Sequence, residues 1–399
     1  MEFILQKFGG TSVQTKNSRL MCINKIKESI TNGNKLIVVI SAMGRKNDPY
    51  STDELLGLVS DDFKKNNPLY LDKLISCGEI ISSIVFTSEL QANDVNAVPL
   101  IGQDIGILTD NNFGNAKILD INTSNIEKLL SLNIVPIVAG FQGVTKDGDI
   151  TTLGRGGSDI SAVKLAAVLN CDKVEFFKDV NGLMTVDPKL VSSAKSINEI
   201  SYEELFELSI YGNNIIHPQA VKIAMDENIP IVIKNTFNDF KGTIITNTVP
   251  KDEDFFKGIT YLKDCIQIKI FRNDNMDNEN YYKVFQKISN ENITIDFINV
   301  FLDHKVFTIH KNDFDQLKEI LNNYKLRYEI LQNCSKIGVV KANIKNVSIV
   351  MARLIESLHK ENIEVLQTNH SNMSIWILVK NEDLATSLNL IHNNFFDKK

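Results

Sequence analysis

The sequence predicts an α/β fold with a mainly parallel sheet, followed by a tail of two similar βαββαβ units, and three observations carry that reading. Short β-branched runs alternate with helical periodicity through residue 247, a polar stretch breaks the pattern near residue 250, and the text behind it repeats at an offset of 70 residues. Taken in order, Phe3 to Gln6, Leu36 to Ile40, Val135 to Ala139, Lys173 to Phe177 and Ile231 to Ile233 read as strands buried on both faces. Between them, Cys22, Ile23, Ile26 and Ile30 recur at helical spacing, and similar patterns run through 69–90, 159–169, 202–210 and 218–227. Pro250, among Asp, Glu and Lys, marks a linker at 248–257, which sets a first domain at 1–247.

Behind the linker, Glu291-Asn292-Ile293 matches Glu361-Asn362-Ile363, and Phe285, Ile288, Ile295 and Asp313 align in the same offset with Ile355, Leu358, Val365 and Asp383. Each copy reads strand, helix, strand, strand, helix, and the first adds a last strand at Tyr328 to Leu331. The second has no sequence left for its equivalent. An uncovered sheet edge is a liability, so the second copy (335–399) is expected to borrow Ile259 to Leu262 from the start of the first (258–334).

Composition narrows the function. Apolar residues make up 43% of the chain and charged residues 23%, as in ordinary globular proteins, and no apolar run is long enough to cross a bilayer. The N-terminus carries no export signal, and five widely spaced cysteines fit neither a disulfide framework nor a zinc site, so a cytoplasmic location with reduced thiols is expected. A net charge of -6 without clustered Lys and Arg argues against nucleic acid or an anionic membrane as partner. Small molecules remain.

Five clusters carry candidate chemistry. Lys7-Phe8-Gly9-Gly10-Thr11-Ser12-Val13 sits where the first strand meets the first helix; two glycines allow close backbone approach to a phosphate and Lys7 adds a charge, although a glycine-rich turn with an incidental lysine has the same text. Thr152-Leu153-Gly154-Arg155-Gly156-Gly157-Ser158-Asp159 offers a guanidinium suited to a carboxylate, with Asp159 either a site residue or an N-cap. Ser41-Ala42-Met43-Gly44 follows the second strand, at the sheet end where ligands of open α/β sheets bind. Glu79, on a largely apolar helix, is either a solvated group or a partner for a ligand ammonium. Lys178 to Lys189 reads as a nucleotide-flanking loop or an ordinary turn, and His217, before Pro218, reads as a structural cap.

The order of Lys7 to Val13, Ser41, Glu79, Gly154 to Asp159, Asp179 to Lys189 and Gly212 to Pro218 resembles the aspartokinases of the amino-acid kinase superfamily, and the 70-residue repeat resembles their two ferredoxin-like C-terminal ACT domains. Val39 to Lys46 and Ile375-Trp376 look most like the short, single-function enzymes of Gram-positive bacteria. The resemblance implies an amino-acid kinase fold and transfer of the ATP γ-phosphoryl group to the β-carboxylate of L-aspartate, the first step toward lysine, threonine and methionine, with Mg2+ carried on the phosphates and no dedicated metal cage. It implies that Lys7, Asp159 and Lys178 are catalytic, that Ser41, Glu79, Arg155 and Ser158 hold aspartate, and that Lys7, Gly9, Gly10, Ser12, Lys178, Asp179, Met184, Lys189 and Asn214 line the nucleotide. It implies a homodimer or homotetramer joined through the ACT domains, and an amino-acid effector (lysine, threonine or diaminopimelate) near Asp296, Asn343 and Ile344.

The sequence departs from the family in places. Lys178 stands where threonine is usual, Lys189 where arginine is, and Asn214 where a phosphate-contacting lysine is, so Lys178 is expected to supply the charge that Asn214 lacks. Lys341 to Asn346 lacks the glycines of the usual effector loop. The rival readings are a kinase for glutamate, acetylglutamate or a nucleotide, and an amino-acid sensor with weakened catalysis.

Overall fold

The computed structural model describes residues 2–210, 215–247, 256–272, 278–341, 344 and 346–396, with the backbone alone for 278–282; Asn214, Asn343 and most of the expected linker lie outside the described residues. The chain divides into two compact units, one of residues 1–184, 196–209 and 214–251, the other of residues 185–195, 210–213 and 252–399.

The first unit is built on an eight-stranded sheet in the order Glu199–Ser201, Thr243–Thr246, Ile231–Asn235, Lys173–Lys178, Phe3–Phe8, Lys35–Ile40, Val135–Ala139 and Ala97–Leu100. All neighbours run parallel except Ile231–Asn235 with Thr243–Thr246, in line with the mainly parallel sheet read from the β-branched runs. The first strand lies at the centre, with its next strand on one side and Lys173–Lys178 on the other, so its C-terminal end is a switch point of the topology. Ile4, Phe8, Leu36, Val38 and Ile40 turn one face toward Cys22, Ile23, Ile26 and Phe86 of the covering helices. A reciprocal cap between Thr15 and Ser18 starts the Lys16–Thr31 helix, and Pro68 opens the Pro68–Gln91 helix. A smaller four-stranded sheet, ordered Ile118–Ile121, Ile107–Thr109, Gln142–Val144 and Ile150–Thr152, went unread in the sequence because its strands are only three or four residues long.

In the second unit six strands form one sheet in the order Asp296–Val300, His304–His310, Gly258–Phe271, Tyr328–Val340, Ser374–Lys380 and Gln367–His370. The two long central strands serve both copies. Residues 265–271 belong to the first, whereas Ile259 pairs with Val339 and Leu262 with Lys336, so the start of the strand closes the sheet of the second. Thr185–Lys195, read from the sequence with the first domain, groups with this unit: Val186 and Val191 join the cluster of Ile337, Val339, Leu358 and Ile391, while buried His392 hydrogen-bonds Thr185 and Ser193 through its two ring nitrogens. All five cysteines are free.

Gly338 and Trp376 are directly paired between Tyr328–Val340 and Ser374–Lys380, and a Cβ on Gly338 would lie 2.3–2.5 Å from three atoms of the indole ring. Gly338→Ala is therefore expected to destabilise this unit by about 1–3 kcal/mol through overpacking. Calorimetric melting checks this, and an unchanged transition would mean that the ring swings aside at no cost.

Candidate active site

Three strand ends of the central sheet bring the candidate residues together. Lys7, next to last in Phe3–Phe8, is almost wholly buried, and its Nζ lies 2.5 Å from Asp159 Oδ1. Lys178, last in the neighbouring Lys173–Lys178 strand, places its Nζ 3.7 Å from the same oxygen. Asp159 stands in the first turn of the Gly157–Val168 helix but does not cap it; its other oxygen accepts the backbone N–H of His217 at 3.3 Å. Burial opposes ionisation of Asp159, yet the charges of Lys178 and Lys7 with the His217 N–H outweigh it and bring the carboxyl down to about 2. Burial pushes the Lys178 ammonium down to about 8, with Asp159 resisting and Lys7 adding to the shift. Two cations thus share one firm anion, leaving net positive charge at the ends of two neighbouring strands.

Glu79 approaches the same cluster from the Pro68–Gln91 helix, near enough for the Lys7 charge to act on it. It is buried, Oε1 accepts the N–H of Ala42 at 3.0 Å, and Oε2 has no hydrogen-bond partner among the described residues. Burial raises its carboxyl to about 8, against the pull of the Ala42 N–H and of the Lys7 charge. A surface role for Glu79 is ruled out. An incoming ammonium would supply the missing partner and favour the charged form.

The glycine loops around this cluster are required by close approach. A Cβ on Gly10 would lie 2.5 Å from Gly44 O and 2.9 Å from Ala42 O, so the turn after the first strand can nest against Ser41–Gly44 only without a side chain. Gly156 has φ +71°, and a Cβ there would strike the His217 ring. Through these turns Arg155 emerges exposed beside His217, close enough for its charge to lower the imidazole pKa, after the larger effect of burial. His217 itself caps the Pro218–Asp226 helix, accepting from Gln219 N–H at 3.4 Å. Ser158 is buried one residue before Asp159, and half-buried Ser41 is tied through its N–H to Phe8 O.

Other expected residues separate by role or by unit. Gly9 donates its N–H to Phe177 O, and the Ser12 hydroxyl is engaged by Thr236 Oγ1 at 2.7 Å and Phe177 O at 3.3 Å, which ties the turn to the neighbouring strands. Asp179 pairs with Arg45 at 3.0 Å, a partner 134 residues away that no motif signals, and Met184 lies half-buried in a two-residue strand. Lys189 is an exposed residue of the second unit. Of the expected effector residues, Asp296 is ion-paired with buried Lys336, and Ile344 is buried with its N–H bonded to Asn372 O. Among the described residues no group of three or more His, Cys, Asp or Glu is arranged to hold a metal. Asp72 was also overlooked. It is fully buried seven residues before Glu79, a helical spacing that puts both carboxylates on one face.

Residues 2–235 match the amino acid kinase family and residues 329–393 the ACT domain. The chain is 39% identical over 401 residues to aspartokinase 1 of Bacillus subtilis (strain 168), covering 99% of both, and 32% identical over 408 residues to the aspartokinase of Geobacillus stearothermophilus, covering 99% of this chain and 97% of that one. Its fold is similar to that of E. coli aspartokinase III in complex with aspartate and ADP (TM-score 0.77, 23% identity) and of Clostridium acetobutylicum aspartate kinase (TM-score 0.78, 22% identity), each alignment covering 99% of this chain and 100% of the other. No helix among the described residues is long and apolar enough to cross a membrane.

Glu79 gives the site a pH signature. Its carboxyl ionises near 4.5 when exposed and near 8 when folded, so the folded state holds the extra proton between those values and loses stability as pH rises through them. Glu79→Gln removes that titration. The melting temperature of the unsubstituted protein relative to the variant is expected to fall between about pH 4.5 and about 8 and then level off; a difference independent of pH would mean that the carboxylate is already ionised.

Proposed function

This chain belongs to the aspartokinases of the amino acid kinase family, and from that premise we propose that its site transfers the γ-phosphoryl group of ATP to the β-carboxylate of L-aspartate, forming 4-phospho-L-aspartate. The observation that supports this most directly is the buried Lys7–Asp159–Lys178 cluster beside Glu79 and its unpartnered oxygen. In this reading Glu79 receives the substrate ammonium, Arg155 grips the α-carboxylate through its planar fork, and Ser41 and Ser158 complete the cradle. The β-carboxylate is already ionised at neutral pH, so no general base is needed: one of its oxygens bonds to the γ-phosphorus while the bridging P–O bond breaks and ADP departs. Catalysis is then positioning and charge neutralisation. Lys7 and Lys178 face the transferring oxygens, and Asp159 holds the two ammonium groups together.

Gly9, Gly10 and Ser12 shape the phosphate turn, and Asp179 and Met184 line the nucleotide; the family resemblance extends that set to Lys189 and Asn214. Mg2+ carried on the phosphates would supply further charge neutralisation beside Lys7 and Lys178. The tail joins subunits into a homodimer or homotetramer and takes an amino-acid effector such as lysine, threonine or diaminopimelate. At the expected effector position, such a ligand would compete with Lys336 for Asp296. The enzyme works in the cytoplasm, at the head of lysine, threonine and methionine synthesis.

Incubation with ATP, Mg2+ and hydroxylamine is expected to give the hydroxamate of aspartate and not that of glutamate. Glutamyl hydroxamate would redirect the substrate assignment, and neither product, together with calorimetric binding of an amino acid, would make the chain a sensor. Lys178→Met is expected to lower kcat by about 100- to 1000-fold, the typical effect of losing one preorganised charge donor, and Asn214→Lys to restore part of that loss. An undiminished kcat in Lys178→Met would remove Lys178 from the chemistry.

A further inference from the structure

Beyond the residues that face the cleft, one buried carboxylate organises the segment that presents Arg155. Asp72 lies on the Pro68–Gln91 helix with no accessible surface, and both its oxygens are used: Oδ2 accepts the N–H groups of Gly114 and Thr152, at 2.9 and 2.8 Å, and Oδ1 accepts the Thr152 hydroxyl at 2.8 Å. Burying a carboxylate is expensive unless donors surround it, and burial pushes this one's pKa up in spite of three hydrogen bonds.

Its partners belong to the two segments that shape the Gly154–Gly156 turn. Thr152 ends the Ile150–Thr152 strand three residues before Arg155, and its carbonyl accepts the N–H of Ala116 at 2.9 Å. Gly114 stands in the loop whose Asn115 side chain packs on Gly154, where a Cβ would lie 2.7 Å from Asn115 Oδ1. Asp72 therefore fixes both the strand that leads into the turn and the wall on which the turn rests. The same helix face carries Glu79, so one rigid element references both the ammonium site and the guanidinium. We infer that Asp72 is a positioning residue for substrate recognition, setting the place of Arg155 through Thr152 and Gly114 without touching the substrate, an inference that rests on the aspartate reading above.

Asp72→Ala would leave two N–H groups and one hydroxyl without their acceptor, whereas in Asp72→Asn the amide oxygen can accept both N–H groups while its nitrogen donates to the Thr152 hydroxyl. Asp72→Ala is expected to lower kcat/KM for aspartate by about 10- to 100-fold, the scale of a small misplacement of a gripping group. ATP affinity, measured by calorimetry without aspartate, should stay within about twofold, and Asp72→Asn should recover most of the loss. Amide hydrogen exchange should quicken at 111–116 and 150–156 and remain unchanged in Phe3–Phe8. Where Asp72→Ala does not fold, Thr152→Val, which loses only the hydroxyl, should raise KM for aspartate in the same direction by a smaller factor. The inference is overturned by a folded Asp72→Ala with unchanged kcat/KM or unchanged exchange in those segments, or by equal losses toward aspartate and ATP. Absence of aspartyl hydroxamate from the unsubstituted protein would instead defeat the reading of the reaction, and exchange alone would then judge the clamp.

Discussion

Two ammonium groups on adjacent central strands of one sheet repel one another, and the cluster holds together because Asp159 lies within reach of both. Lys7 and Lys178 come from the central strand and its neighbour, at the ends where the topology switches direction, and neither has much water to screen it. Removal of the anion would leave two desolvated positive charges side by side, a far larger penalty than any exposed ion pair could offset. The helix that carries Asp159, the glycine turns before it and the His217 cap next to it all serve to hold one carboxylate in that gap. The charge at these strand ends is thus assembled within the fold itself, the kind of preorganisation on which phosphoryl transfer relies.

Three buried carboxylates in this unit illustrate how environment assigns role. Asp159, between two cations, stays ionised well below the usual range; Glu79, with a single N–H donor, is pushed upward by burial; and Asp72, surrounded by three donors, is still raised. The first holds two ammonium groups, the second keeps one oxygen unpartnered among the described residues, and the third accepts backbone N–H groups. The residue type is common to all, and the balance between desolvation and donors separates them.

The tail follows a different logic. The start of Gly258–Phe271, which belongs in sequence to the first copy, completes the sheet of the second, whereas the first copy closes its own sheet with Tyr328 to Leu331, so the two copies share one continuous six-stranded sheet. Thr185–Lys195, whose flanks lie in the first unit, is bound into the core of the second through Val186, Val191 and the hydroxyl groups on His392.

Periodicity, glycine placement and the 70-residue repeat determined the class of fold, the borrowed strand and the order of the glycine loops, because each depends on local chain geometry that neighbouring residues dictate. Lys7, Glu79, Arg155 and Asp159 could be singled out from charge beside glycine or within apolar text. The short strands of the small sheet, the Arg45–Asp179 pair and the grouping of residues 185–195 with the tail left no such trace. Whether Asp159 was a cap or a counter-ion, and whether Glu79 met water or protein, could be decided only in three dimensions. Burial and the approach of residues 7, 79, 159 and 178 are properties of the packed sheet, and a carboxylate's charge state follows from what surrounds it in space, not from what adjoins it in the chain.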